Sequence, residues 1–303
     1  LTHTPSPMKF PKEILNRPEH EHAMLLMPVG YPAKNAKIPN LKRKTLDEIS
    51  EWLVKELETT IIHNDPATIA AFIAEPVSTS AGIHIAPDSY WQGIREVTEK
   101  YGILMIADEV ITGYGRLGEW FGTMVWDVTP DLTTTAKALT SGYAPLGAVI
   151  ATEKVANAFL GGKKETFSHL LTFGGHPVAT AAGLANLKIM KEQKMVENAK
   201  EMGSYLFDRL QELRKYKYVG DVRGGKGLLA TVEIVKDKGT KEKFSEEDNL
   251  YGIMPKLLKE RGLLSYRAGD QISMCPPLNI SKEEIDIIFN GIESTIIDFE
   301  NKI

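Results

Sequence analysis

Short apolar runs that alternate with helical patterns constrain the fold of this chain more than any other feature. The apolar runs lie at residues 68–75, 103–108, 132–135 and 146–152, and the helical patterns lie at 45–60 and 88–101. Strands that are apolar on both faces and alternate with helices are typical of a parallel sheet covered by helices. The sequence therefore predicts an α/β domain with a mainly parallel sheet.

The pattern changes after Pro177. Residues 178–214 form one long helical pattern or two abutting ones. Beyond it we expect two β-rich pieces within 219–235, a helix near 247–261, short strands at 263–266 and 271–274, and a final helix at 281–300. We place a domain boundary near Arg214. A large domain then spans 61–214 and a smaller α+β domain spans 215–303, while 1–60 is an irregular connecting region and helix of the large domain.

Composition and charge exclude several classes of protein. The 303 residues include 36 Lys and Arg against 40 Asp and Glu, which gives a net charge of −4. This balance argues against a basic nucleic-acid-binding protein and against an acidic disordered tail. No stretch approaches the roughly 20 apolar residues that span a bilayer. Cys275 is the only cysteine, so no internal disulfide forms and a reducing, cytoplasmic compartment is expected.

Polar side chains follow two of the predicted strands. Asp108 and Glu109 come directly after the apolar run at 103–107, and Lys137 is the only charged residue between 132 and 152. Ligands of α/β sheets bind at the carboxyl ends of the strands. Asp108 could also be a helix cap or a loop carboxylate, and Lys137 could extend to the surface.

Asp108 and Lys137 together suggest a specific chemistry. A partly desolvated lysine has a lowered pKa, and its neutral amine attacks carbonyl groups. A lysine that forms an imine and a carboxylate that keeps a ring nitrogen protonated are what pyridoxal phosphate requires. The pair therefore favours a pyridoxal-phosphate enzyme.

Six sequence blocks, in order, resemble those of the class III aminotransferases. The blocks are AAFIAEPV (70–77), IADEVITGYGRLG (106–118), TTTAKALTSGYAPLGAVI (133–150), LTFGGHPVATAAGLANL (171–187), VGDVRGGKGLLATVE (219–233) and CPPLNIS (275–281). Members of this family are pyridoxal-phosphate enzymes of the aspartate-aminotransferase-like fold, also called fold type I. The resemblance extends from about residue 68 to the C-terminus. Within the family it is most similar to the ω-amino acid–pyruvate aminotransferases.

The resemblance implies a role for several residues. Lys137 would form the imine bond with the cofactor and shuttle a proton during the reaction. Asp108 would pair with the pyridine nitrogen, Val110 would pack on a face of the ring, and Glu75 would be a further cofactor-binding residue. Thr172 would bind the cofactor phosphate in the neighbouring subunit, which implies a homodimer with shared active sites.

Departures from the family pattern suggest the substrate. Members that use 2-oxoglutarate carry a Glu and an Arg at the positions that Ser80 and Ser273 occupy here. The pyruvate-using subgroup instead places an arginine upstream, and Arg267 matches it. Arg267 would bind the substrate carboxylate, although a plain surface arginine is the alternative. We therefore expect transamination between an amine or ω-amino acid and a keto acid, with pyruvate as the acceptor.

The beginning of the chain departs further from the family. Nothing in 1–64 resembles the Gly-Ser phosphate turn or the ring-stacking Tyr-His-Gly of the family, and the sequence opens on Leu1. We therefore expect a chain that starts partway through a longer protein, with a large domain incomplete on its N-terminal side. The alternative function is a catalytically silent fragment or relative that serves as a structural or dimerising module. Retention of Lys137, Asp108 and Thr172 favours the enzyme.

Three other motifs are weak matches to known sites. Residues 113–118 fit G-x-G-x-x-G, but five residues separate them from the apolar strand and no strand with a terminal acidic residue follows about 20 residues later. Residues 224–227 lack the Ser or Thr of a P-loop. His20 and His22 have no third ligand, so we expect no metal site, and we expect Cys275 to pack.

Overall fold

The structure is a computed structural model that describes residues 44–265 and 268–303. The strands are β1 (Ala71–Ala74), β2 (Val77–Ser78), β3 (His84–Ile85), β4 (Leu104–Asp108), β5 (Leu132–Thr135), β6 (Ala148–Ala151), β7 (Val219–Arg223), β8 (Ala230–Ile234) and β9 (Gln271–Met274). The α-helices are α1 (Leu46–His63), α2 (Tyr90–Lys100), α3 (Glu153–Asn157), α4 (Pro177–Glu192), α5 (Met195–Gln211), α6 (Leu250–Glu260) and α7 (Lys282–Glu300). Residues 1–43, with His20 and His22, lie outside the described part.

Four strands form the first sheet, in the order β1-β4-β5-β6. β1, β4 and β5 are parallel, and β6 runs antiparallel to β5. This arrangement confirms the predicted α/β fold with a mainly parallel sheet. β1 begins later than the predicted run, because a 3₁₀ helix at Pro66–Thr68 precedes it, with the side chain of Asp65 capping its start.

Two helices cover one face of this sheet. A capping box at Thr45 and Glu48 begins α1. Helix α1 packs closely on α2, since a Cβ on Gly93 would lie 2.7 Å from a methyl carbon of Val54. On α2, Trp91 is buried with Met105 of β4, and its indole N–H donates to the carbonyl of Pro76. The helix is thereby tied to the segment that follows β1.

The C-terminal sheet is antiparallel, in the order β7-β8-β9. Alternate residues of its strands, such as Val222, Val232 and Ile272, enter an apolar core with α5, α6 and α7. Phe289 and Phe299 of α7 are among its largest fully buried side chains. The helical pattern at 178–214 is two helices, α4 and α5, because Lys194 adopts a left-handed conformation (φ +50°) between them. The predicted domain boundary near Arg214 stays a prediction.

Two features differ from the sequence-based expectation. Every residue of β6 is exposed, whereas strands buried on both faces were predicted. Leu263–Ser265 are not the strand that was predicted. Helix α6 ends just before them, because Gly262 has a left-handed conformation (φ +73°) and the N–H of Leu263 donates back to the Leu258 carbonyl. Among residues 44–265 and 268–303, no helix has the length and apolar character to cross a membrane.

Candidate active site

The parallel strands bring three predicted site residues to one edge of the sheet. Ala74 of β1 pairs with Ala107 of β4, and Asp108 pairs with Thr134 of β5. Glu75 therefore follows β1 beside Asp108, the last residue of β4, and Lys137 comes two residues after the end of β5. The carboxyl edge of the sheet, defined here by Glu75, Asp108 and Lys137, thus collects two carboxylates and an amine.

Asp108 and Glu109 are adjacent carboxylates in contrasting environments. Glu109 is 1% exposed, and its oxygens accept hydrogen bonds from the N–H groups of Gly122 (2.7 Å) and Thr123 (2.8 Å) and from the Thr112 hydroxyl. Asp108 is half-buried and accepts, among the described residues, one hydrogen bond, from the N–H of Val110 at 3.1 Å. Glu109 therefore holds the loop after β4, and Asp108 keeps acceptor capacity for a ligand.

Lys137 lies in an unusual turn. It begins a 3₁₀ helix at Lys137–Leu139 and has a φ of +41°, a left-handed conformation that a residue with a side chain seldom adopts. Asn186 of α4 supports this turn by donating to the carbonyls of Ala138 (2.8 Å) and Leu139 (3.2 Å). Backbone strain of this kind clusters at functional sites.

The side chain of Lys137 is exposed in the described structure. The partial desolvation expected from its apolar sequence neighbours is therefore absent among the described residues. Among those neighbours, Leu139 is buried in an apolar cluster with Tyr114 and Met190. No described element covers the amine.

Val110 and Glu75 both lie just beyond the end of a strand. Since β4 ends at Asp108, Val110 lies half-buried in the turn that follows. Glu75 is half-buried and accepts hydrogen bonds from the hydroxyl (2.6 Å) and N–H (3.2 Å) of Thr79. Its carboxylate is therefore already oriented by the next loop.

Two predicted residues lie elsewhere. Thr172 is exposed in a turn before α4, within a segment whose side chains are all exposed from residue 159 to 178. This exposure leaves Thr172 available to another subunit. Arg267 lies outside the described residues.

Arg116 is a residue that the sequence reasoning missed. Its guanidinium donates to the carbonyls of Leu228 (2.8 Å) and Pro276 (2.7 Å), and burial lowers its pKa. It thus joins the loop after β4 to two turns of the C-terminal region. A lone arginine inside GYGRLG was the available signal. Cys275, expected to pack, is exposed.

The glycines of residues 113–118 are explained by packing. A Cβ on Gly118 would lie 2.9 Å from the Cα of Lys200, and one on Gly115 would lie 3.2 Å from a methyl of Val196. Helix α5 thus approaches the backbone where these glycines stand. Among the described residues, no cluster of three metal-ligating side chains occurs.

The chemistry of the carboxyl edge suits a cationic heteroaromatic ring with a carbonyl group. A carboxylate with free acceptor capacity, Asp108, can hold a protonated ring nitrogen. An exposed amine, Lys137, can attack a carbonyl carbon. Both functions are offered from neighbouring parallel strands.

Comparison with known proteins identifies the family. The model of the aminotransferase class-III family matches residues 15–296. The chain is 41% identical over 241 residues to the putrescine–pyruvate aminotransferase of Pseudomonas aeruginosa, covering 79% of this chain and 52% of that protein. It is 38% identical over 261 residues to the taurine–pyruvate aminotransferase of Bilophila wadsworthia, covering 82% and 57%.

Solved structures agree with the sequence comparison. The crystal structure of an (S)-enantioselective ω-transaminase from Thermomicrobium roseum superposes with a TM-score of 0.81 at 44% identity, covering 84% of this chain and 56% of that one. The chain therefore belongs to the class III aminotransferases, a family of pyridoxal-phosphate-dependent enzymes of fold type I. It spans a little over half the length of the relatives it matches.

Proposed function

We propose that this chain supplies the cofactor lysine and the ring-nitrogen carboxylate of a transaminase that moves amino groups from an amine or ω-amino acid to pyruvate. The observation that carries the proposal is the placement of Asp108 and Lys137 at the ends of neighbouring parallel strands. Family membership supports it, and so do relatives named for their use of pyruvate.

The chain's own residues would share the work. Pyridoxal phosphate, when bound, supplies an aldehyde and an electron-accepting ring. Asp108 holds a proton on the ring nitrogen by its negative charge. The Lys137 amine would hold the aldehyde carbon of the cofactor, with loss of water, until the substrate amine takes its place. The released Nζ would then carry a proton between the substrate carbon that bears the nitrogen and the former aldehyde carbon of the cofactor. Val110 packs on the ring, and Glu75 orients it from the neighbouring strand.

The choice of a monocarboxylate acceptor rests on two serines. Ser80 is exposed in the turn between β2 and β3, and the Ser273 hydroxyl lies 3.2 Å from that of Thr231. Neither position supplies the charges with which dicarboxylate-using relatives are expected to handle a second carboxylate. Arg267 binds the one carboxylate of the acceptor in this proposal.

We propose a homodimer that completes each active site with Thr172 of the other subunit. Large apolar side chains are exposed between residue 143 and helix α4, and an exposed apolar surface of this kind marks an interaction site. They include Tyr143 (88%), Leu160 (79%), Leu170 (91%), Phe173 (80%), Val178 (69%) and Leu184 (70%). Thr172 lies among these residues in the sequence, so the surface that associates would also be the one that donates the hydroxyl.

We also place the protein in the cytoplasm. The single Cys275 fits a reducing compartment. Pyruvate and free amines are small-molecule partners available there, and neither nucleic acid nor a membrane is needed as a partner.

Steady-state kinetics with a panel of acceptors test the proposed function. With an ω-amino acid or diamine donor, pyruvate should support turnover at least about tenfold faster than 2-oxoglutarate, a difference of at least about 1.4 kcal/mol. Double-reciprocal plots at several pyruvate concentrations should be parallel, since the amino group is transferred in two half-reactions. Intersecting lines, or a preference for 2-oxoglutarate, would contradict the proposal. Absence of turnover with any donor would favour the silent module.

A further inference from the structure

The loop at 79–83, between β2 and β3, is hydrogen-bonded to Glu75 as one unit. The carboxylate of Glu75 accepts from the N–H and hydroxyl of Thr79. The carbonyl of Thr79 in turn accepts from the N–H groups of Gly82 (3.1 Å) and Ile83 (3.2 Å). A shift of this loop would therefore move the Glu75 carboxylate.

The loop has a conformation that needs outside support. Ile83 is 1% exposed and has a φ of +56°, which is an outlier for a β-branched residue. Gly82 has a φ of +129°, and a Cβ there would lie 2.8 Å from the side-chain nitrogen of Gln271 in β9. Strained backbone of this kind persists only where the surrounding structure determines it.

Arg223, the last residue of β7, provides that support from the C-terminal sheet. Its Nε–H donates to the carbonyl of Gly82 at 2.8 Å. Its Nη1 contacts the carboxylates of Asp221 (3.2 Å) and Glu233 (2.5 Å), and the side chain is 16% exposed. Because two carboxylates hold one side of the planar guanidinium, the direction of Nε–H is set before it meets the loop.

We propose that Arg223 is a positioning residue for Glu75. Through Gly82 and Thr79 it holds the Glu75 carboxylate beside Asp108 at the carboxyl edge of the sheet. Its catalytic consequence rests on the proposed function, because it presupposes that this edge faces pyridoxal phosphate. The link also couples the C-terminal sheet to the cofactor site.

Hydrogen exchange of the cofactor-free protein tests the link itself. Arg223→Met removes the donor to Gly82, so backbone exchange within residues 76–86 should become at least about tenfold faster. Arg214→Met is the matched control, because Arg214 also binds Asp221 (2.9 Å) but is not bonded to the loop. In this variant, residues 76–86 should exchange at the wild-type rate. Unchanged exchange in Arg223→Met would overturn the proposal.

Arg223→Lys covers the case in which the methionine variant fails to fold. Lysine keeps the charge beside Glu233 but is a point charge without the directed Nε–H. It should speed exchange in the same peptide by several-fold while the rest of the protein is protected as in the wild type. A lysine variant with wild-type exchange at 76–86 would overturn the proposal.

A double-mutant cycle on cofactor affinity tests the role toward Glu75. Arg223→Met and Glu75→Gln should each raise the dissociation constant of pyridoxal phosphate about tenfold. The double variant should have the same dissociation constant as either single variant. Independent effects, which multiply to about a hundredfold, would overturn the positioning role. A wild-type protein that binds no pyridoxal phosphate would refute the proposed function instead, and hydrogen exchange would still decide whether Arg223 holds the loop.

Discussion

At the carboxyl edge of the sheet, Asp108 accepts one hydrogen bond from the described residues and Lys137 is exposed. In the C-terminal region, by contrast, apolar side chains from β7–β9 and α5–α7 are buried together. The first arrangement keeps polar groups available, at the expense of local strain at Lys137. The second buries a large set of apolar side chains in one core. We infer that the edge was shaped for chemistry and the C-terminal core for stability, and substitutions in the two regions should separate the two properties.

The largest effect is expected at the edge. Lys137→Ala removes the proposed nucleophile and proton carrier and should lower kcat by roughly 10⁴-fold or more. Because the side chain is exposed and makes no described ion pair, the melting temperature should change by less than about 2 °C. Turnover rates and thermal melts measure both. Lys188→Ala, an exposed lysine of α4 paired loosely with Glu192, is the control and should leave kcat unchanged.

The converse is expected in the core. Phe289→Ala creates a cavity beneath α7 and removes the ring over which the Arg209 guanidinium stacks at 3.9 Å. The free energy of unfolding should fall by about 3–5 kcal/mol. Urea titrations measure the loss, and Phe289→Leu should recover much of it. If Phe289→Ala lowered kcat as much as Lys137→Ala without loss of stability, the separation of roles would be wrong.

Asp108 and Glu109 sharpen the comparison within two residues. Asp108→Asn should lower kcat by roughly 10²–10³-fold, because an amide cannot stabilise the ring charge, and leave stability within about 0.5 kcal/mol. Glu109→Gln turns an amide group toward N–H donors and should cost about 1–3 kcal/mol of stability. Parallel kinetic and unfolding measurements distinguish them. The comparison breaks if the two variants behave alike.

Helix capping offers a smaller test. The Ser281 side chain accepts from the N–H of Glu284 at the start of α7, a helix with six buried residues. Ser281→Ala should lower global stability by about 1 kcal/mol. Thr45→Ala removes the equivalent cap of α1, where only Ser50 and Ile61 are buried, and should increase local hydrogen exchange more than it lowers the unfolding midpoint.

The smallest effect concerns the acid dependence of stability. Burial raises the pKa of Asp131, but the Arg95 guanidinium (2.6 Å) and the N–H of Met105 (2.8 Å) outweigh it, so the pKa is lowered overall. A lowered folded pKa contributes stability above the unfolded value near 3.9, and this stability is lost as pH falls through the folded pKa. In urea titrations below about pH 4, Asp131→Asn should show a shallower loss of stability than the wild type. An equal slope would mean that Asp131 does not titrate with unfolding.

Much of the fold followed from local patterns. Periodicity predicted β4, β5 and β9, and the rule that ligands bind at strand ends selected Asp108 and Lys137. Contacts between residues far apart in sequence were invisible to this reasoning. Arg116 meets Pro276 across 160 residues, and Arg223 meets Gly82 across 141. Local secondary-structure propensities carry no information about such long-range contacts.

Backbone conformation was the other feature that could not be predicted from the sequence. The left-handed φ of Lys137 depends on the support that Asn186 gives from α4. Likewise, the division of labour between Asp108 and Glu109 depends on which carboxylate the loop at 122–123 approaches. Both are tertiary outcomes, so the sequence could propose Asp108 and Lys137 as site residues but could not predict their environments.

Borohydride reduction in the presence of pyridoxal phosphate, followed by peptide mapping, tests the central claim most directly. The account predicts a phosphopyridoxyl group on Lys137, lost in Lys137→Ala and retained in Lys188→Ala. A label on another lysine, or none on a folded protein saturated with the cofactor, would contradict the assignment of Lys137 as the cofactor lysine.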